Sequence, residues 1–236
     1  MSSWMLWDRI DISSIKQGMK AATPAVMGYI PIAIAFGILA SQVGFGVVEA
    51  AAMSVFVFAG SAQFIAVGMI GAGNSVGAIV VTTFLVNLRH LLMSAALSPH
   101  LLGLSKKELA WFGFQMTDET FALHNARFRK GVPAVLESFS LNTTAQASWV
   151  LGTIVGVLAG GVVSDMNGLG MDYALPAMFI ALVFMQVHNN TYFIVGIIGG
   201  ISAMILQVAG MGTLSIIAAT VLAASMGVVL EQWKAR

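Results

Sequence analysis

Residues 50–88 read AAAMSVFVFAGSAQFIAVGMIGAGNSVGAIVVTTFLVNL and contain no Asp, Glu, Lys or Arg. So long a charge-free run cannot form a soluble surface, and it exceeds the roughly 20 apolar helical residues that cross a bilayer core. Intervals 21–48, 138–164 and 173–230 are equally free of charge. Over 236 residues only 9% are charged and 58% are hydrophobic, against roughly 25% charged in ordinary globular domains. A transmembrane barrel would need strands of about ten residues alternating apolar and polar, whereas these runs are continuously apolar. The fold class is therefore all-α, a polytopic transmembrane helical bundle forming a single domain over 1–236.

Working outward from that stretch, residues 47–70 form an apolar segment interrupted at Gly60-Ser61-Ala62-Gln63 and closed by a turn at Gly71-Ala72-Gly73-Asn74. This is the signature of a broken helix or a re-entrant hairpin. Before it, residues 21–43 form a first span with Pro24 and Pro31 inside, each removing a backbone donor and favouring a kink. After it, residues 76–97 carry Asn87-Leu88-Arg89-His90 in their interior and end at Pro99. Residues 108–126 are less apolar and either pack wholly inside the protein or only dip into the membrane. A long helix over 133–163 follows, then an acidic loop with Asp165 and Asp172. Three shorter segments lie near 174–187, 191–208 and 213–230, the first two separated by a break at His188-Asn189-Asn190.

Basic residues flanking spans stay on the cytoplasmic side. They cluster at Arg9/Lys16/Lys20, Lys106/Lys107, Arg127/Arg129/Lys130 and Lys234/Arg236, which predicts that both termini are cytoplasmic. Eight crossings would leave Lys106 and Lys107 outside. If 47–70 and 108–126 are re-entrant, six full spans satisfy every cluster. The expectation is seven or eight membrane segments, at least one of them discontinuous. Phe56-Val57-Phe58-Ala59-Gly60 and Phe179-Ile180-Ala181-Leu182-Val183 occupy comparable places in two halves joined near Arg127, a hint of an internal repeat. Residues 1–20 have neither the basic start nor the cleavage site of a signal peptide, and they read as an interfacial lead-in.

Cysteine is absent, which excludes disulfides and thiolate chemistry. No Gly-rich phosphate loop or HExxH helix occurs, and no basic surface exists for nucleic acid. Histidines 90, 100, 124 and 188 lack the spacing of a zinc site. Neither enzyme chemistry, nor a cofactor, nor a metal is expected.

Arg89 is the sharpest site signal, because a central arginine costs about 2.5–3.5 kcal/mol on insertion scales and needs a partner or a cavity. Its forked guanidinium suits a substrate carboxylate, with Asn87 and His90 adding hydrogen bonds. A structural ion pair with Asp118 or Glu119 is the competing reading. Those two carboxylates point about 100° apart on a helix, so one faces the cavity, as a proton-coupling group, an ammonium ligand or a neutraliser of Arg89. Ser61 and Gln63 offer polar groups at a helix break, where half-helix dipoles suit a charged ligand; tight packing is the alternative. Asn142, Thr143, Thr144 and Gln146 add hydrogen-bonding groups on the long helix. Such groups commonly link helices.

The motifs Gly60-Ser61-Ala62-Gln63-Phe64, Asn87-Leu88-Arg89-His90-Leu91-Leu92-Met93-Ser94-Ala95-Ala96-Leu97 and Thr117-Asp118-Glu119-Thr120-Phe121-Ala122-Leu123 resemble signatures of the AzlC-type branched-chain amino acid exporters. The resemblance extends from about Lys16 to Leu230. It implies export of valine, leucine, isoleucine and methionine from the bacterial cytoplasm across the inner membrane. It also implies a separately encoded small AzlD/YgaH-type membrane subunit as partner. The expected activity is proton-coupled secondary transport; a passive channel or facilitator for another small solute is the alternative.

Overall fold

The computed structural model describes residues 11–131, 133–160, 180, 187, 190–211 and 214–234. Among these residues all regular structure is helical. The chain divides into two compact units, Met1–Ala174 and Leu175–Arg236.

In the first unit α1 spans Ile12–Gln42, and Asp11 caps it by accepting from the Ser13 amide. It begins within the expected lead-in, so the basic residues Lys16 and Lys20 ride on its first turns; Pro24 and Pro31 both lie inside it. Two short helices follow, α2 (Val47–Phe56) and α3 (Gly60–Gly71). The helix break therefore falls at Val57, Phe58 and Ala59, just before the Gly-Ser-Ala-Gln motif, which forms the first turn of α3. Phe58 has φ of 35° and is buried, a left-handed conformation that costs a bulky residue energy and persists only where surroundings enforce it. Tyr29 stands edge-on to it with ring centroids 6.2 Å apart. Gly73, with φ of 71°, turns the chain into α4 (Val76–Leu97), which Ser75 caps.

The less apolar stretch 108–126 is two helices rather than one. A capping box of Ser105 and Glu108 opens α5 (Lys106–Phe114), and a second, of Thr117 and Thr120, opens α6 (Asp118–Phe128). Each box satisfies amide donors that a helix start leaves unpaired, so the sequence restarts a helix after a break at Gln115, Met116 and Thr117. The long helix α7 runs Val135–Gly160.

The first unit is built on α1 and α7, which run parallel and in register. Gly37 lies against the backbone of Thr153 and Gly156, while Gly156 lies against that of Ile34 and Gly37. Two glycines facing each other bring the backbones into contact, the packing mode of membrane helices, where lipid supplies no hydrophobic drive for association. Around this pair the two broken segments are hairpins of opposite sense. A Cβ added at Gly71 would stand 3.0 Å from Val43, so α2 leaves and α3 returns at the C-terminal end of α1. At the other end, Leu97 and Leu101 cluster with Phe112, Met116, Phe128 and Phe139. There α5 leaves and α6 returns beside the end of α4 and the start of α7. The tips of both hairpins reach the middle of α1 and α7.

In the second unit α8 (Asn190–Val208) and α9 (Leu214–Lys234) pack together. Gly199 faces Ala223, Gly227 faces Val195, and the Ser215 hydroxyl donates to Gln207 Oε1 at 2.8 Å, all in one antiparallel register. Among the described residues, α1, Val76–His100, α7 and α8 are long and apolar enough to cross a membrane. Apart from residues 180 and 187, the expected segment 174–187, the acidic loop, the break at His188 and Asn189, and the 179–183 half of the suggested repeat lie outside the described residues.

Candidate functional site

Arg89 joins the N-terminal ends of the two returning helices. Its Nη1 lies 3.0 Å from Asp118 Oδ2, on the first residue of α6. Its Nη2 donates to the Ser61 hydroxyl in the first turn of α3. Of the two readings of Arg89, the ion pair with Asp118 is therefore present. The guanidinium is nevertheless unfinished, because its Nε is buried without a hydrogen-bond partner among the described residues. The side chains remain 31% (Arg89) and 16% (Asp118) exposed, so the junction is open on one side. On the same turn of α4, Asn87 Oδ1 and His90 Nε2 are also buried without partners. Buried polar atoms are ordinarily satisfied, so these three are exceptions among the described residues, with Asn87 and Arg89 on different faces of α4.

Beside Asp118, Glu119 accepts a 2.8 Å hydrogen bond from the Tyr29 hydroxyl in the middle of α1. The same hydroxyl is hydrogen-bonded to Thr117 Oγ1. A carboxylate at the start of a helix also gains from the positive end of its dipole, so both acids sit where negative charge is favoured.

The C-terminal ends of the leaving helices are joined by Gln146 at the middle of α7. Its Nε2 donates to the Val55 carbonyl near the end of α2 at 3.0 Å. Its Oε1 accepts from Gln115, at the end of α5, at 2.8 Å. Helix ends leave carbonyls unpaired; the glutamine serves that of Val55 at one break and holds the Gln115 side chain at the other. Gln63 belongs to a neighbouring knot: its amide donates to Ser54 at 3.1 Å and accepts from Trp149 Nε1 at 3.0 Å, and Ser54 pairs with Thr153 at 2.8 Å. Trp149 also closes on Tyr29, edge to face with centroids 5.2 Å apart.

Of the residues nominated from the sequence, Ser61, Arg89 and Asp118 meet directly and Glu119 adjoins them. Gln63 and Gln146 brace the helix breaks. Asn142 is fully buried and pairs at 2.8 Å with His124, away from Arg89. Asn87 and His90 flank Arg89 without bonding to Ser61 or Asp118. The sequence reading missed Tyr29, Ser54, Trp149 and Thr153, and it gave Thr117 and Gln115 no site role. The available signal for the last two was a break between two capping-box positions. A separate apolar cavity of about 270 Å³, lined by Phe112, Phe128 and Phe139 among others, contains none of the nominated residues.

Membrane-length helices around two opposed, broken helix pairs with a charged centre define a polytopic helical membrane protein with an internal polar site. Residues 24–163 match the family described as AzlC protein, and the chain belongs to that family. It is 28% identical over 208 residues to the inner membrane protein YgaZ of Escherichia coli, covering 84% of this chain and 85% of that protein. An uncharacterized membrane protein of Archaeoglobus fulgidus is 32% identical over 225 residues, 92% of this chain and 94% of its own length. The branched-chain amino acid transport protein AzlC of Bacillus subtilis is 30% identical over 179 residues, 74% of this chain and 68% of its own length. No solved structure matches the chain.

Proposed function

We propose that this protein is a proton-coupled secondary exporter of branched-chain amino acids, the large subunit of a two-component system in the bacterial inner membrane. The observation that carries this reading is the Arg89 junction, an incompletely satisfied guanidinium held between two helix breaks. An amino acid needs a cationic site for its carboxylate, an acidic or carbonyl site for its ammonium, and an apolar surround. The partnerless Nε edge of Arg89 suits the first, Asp118 and Glu119 the second, and the rings of Phe58 and Tyr29 nearby the third. Asn87 and His90 are the adjacent hydrogen-bonding groups. The name of the Bacillus relative supports the substrate class; the AzlD/YgaH-type partner rests on the family resemblance.

The contacts of Gly71 with Val43 and of the Leu97 cluster support reading α2/α3 and α5/α6 as re-entrant hairpins, one from each side. With α1, α4, α7, α8, α9 and a crossing over 174–187, this gives six full spans among eight membrane segments in one transporter domain. Every basic cluster and both termini are then cytoplasmic. The units α1–α3 and α4–α6, each a long helix followed by a broken pair, read as an inverted-topology repeat with the site at their junction.

The test is uptake of labelled valine into inside-out vesicles with an acidified lumen, with and without the small subunit. The expected result is saturable uptake that collapses when the proton gradient is discharged. Absence of saturable valine movement under every condition rejects the reading; uptake indifferent to the gradient removes the coupling.

A further inference from the structure

We infer that the two neighbouring carboxylates divide the work: Asp118 is the fixed counter-ion of Arg89, and Glu119 takes either the substrate ammonium or a proton. This deepens the exporter reading above and rests on it. Asp118 is committed to Arg89 at 3.0 Å, and the pair is neutral. Glu119 forms no ion pair among the described residues; its side chain is held by the Tyr29 hydroxyl at 2.8 Å. With Glu119 ionised, Arg89, Asp118 and Glu119 sum to one negative charge, and Glu119 has the Tyr29 donor and the helix start but no cation of its own among the described residues. Two positive groups can meet Glu119 during transport, the ammonium of an amino acid and a proton.

A zwitterion whose carboxylate rests on the Nε edge of Arg89 adds no net charge but sets its ammonium directly against Glu119. A proton forming an O–H bond on the Glu119 carboxyl removes the charge that the ammonium would pair with. The two exclude each other, so a proton taken from water on the acidic side displaces the amino acid there. The same proton is lost to water on the cytoplasmic side when the next amino acid binds. One site occupied by either the amino acid or the proton is sufficient for exchange.

The other charged and titratable groups around Glu119 do not substitute for it. From α1 it meets Tyr29, whose hydroxyl donates. On α4 stand Arg89, already paired, and His90, one residue along. On α7 the acidic group is Glu137, paired with Arg127 near the end of α6. On α6 itself, His124 is bonded to Asn142. Thr117, bonded to Tyr29, and the Glu119 backbone amide supply further polar contacts to the carboxyl.

The experiment is calorimetric titration of the purified full chain, with its small subunit, with valine between about pH 5 and pH 8. Wild-type affinity is expected to fall with acidification, approaching about tenfold per pH unit on the acid side. Glu119→Gln is expected to bind valine more weakly at the alkaline end and to lose the slope, whereas Asp118→Asn weakens binding but keeps it. Tyr29→Phe removes a donor to the ionised carboxylate, so the midpoint of the slope moves to higher pH. An unchanged slope in Glu119→Gln overturns the inference and leaves the exporter reading standing. Wild-type protein that binds no valine at any pH overturns both. Should Glu119→Gln fail to fold, Tyr29→Phe decides: a displaced midpoint supports the inference and an unmoved one overturns it.

Discussion

Many polar side chains at the centre of this protein bond to one another across helices, and Gln63 shows the energetic consequence. Replacing it by Leu leaves Trp149 Nε1 without its acceptor and removes the amide that donates to Ser54, both in buried surroundings. An unsatisfied buried polar group costs about 1–3 kcal/mol. Gln63→Leu should therefore lower the thermal unfolding midpoint in detergent measurably, with little loss for Ser61→Ala, whose partner Arg89 keeps Asp118. Arg89, Asp118, Gln63 and Gln146 were legible in the sequence because polar residues inside apolar runs stand out. Tyr29, Ser54, Trp149 and Thr153 were not, since hydroxyls and aromatic rings are ordinary in membrane helices. What distinguishes Tyr29 is an α6 carboxylate more than eighty positions away, a relation that no local pattern carries.

At the scale of elements, the two hairpins depend on Gln146 for their leaving helices and on Arg89 for their returning ones. Gln146→Ala removes the groups shared by Val55 and Gln115. Faster hydrogen exchange is expected at 57–60 and 115–118, with protection along α8 unchanged; equal exchange at the tips would contradict the bracing role. The α1–α7 seam is a second dependency. Gly156→Leu must force a branched side chain into the backbone of Ile34, and overpacking of this kind costs about 1–3 kcal/mol or more, read as a lowered unfolding midpoint. At the start of α1, hydrogen bonds from Ser13 hold the Asp11 carboxyl below its ordinary 3.8. Its cap is thus present at neutral pH and lost as pH falls through that lowered value, seen as faster exchange of the Ser13 amide. The sequence marked both broken segments by their length and polarity, yet it misplaced the first break by a few residues. Phe58 holds a left-handed conformation that its residue type disfavours, so only packing against Tyr29 reveals the turn.

At the scale of the whole molecule, charge-free runs fixed the helical membrane class, while the way the segments return depended on contacts. Parallel α1 and α7 require an odd number of crossings between them, and α4 alone satisfies this when both broken pairs turn back. That arrangement brings the tips of both hairpins to a single charged junction, which suits the proposed transport. In the proposed exporter this junction binds a branched-chain amino acid through Arg89. That binding is tested most directly by valine titration of the wild-type protein and of Arg89→Lys, which keeps the charge and loses the planar fork. Saturable binding by the wild type is expected, with affinity reduced at least about tenfold in Arg89→Lys, equivalent to about 1.4 kcal/mol. Equal valine affinity in a folded Arg89→Lys protein would contradict it.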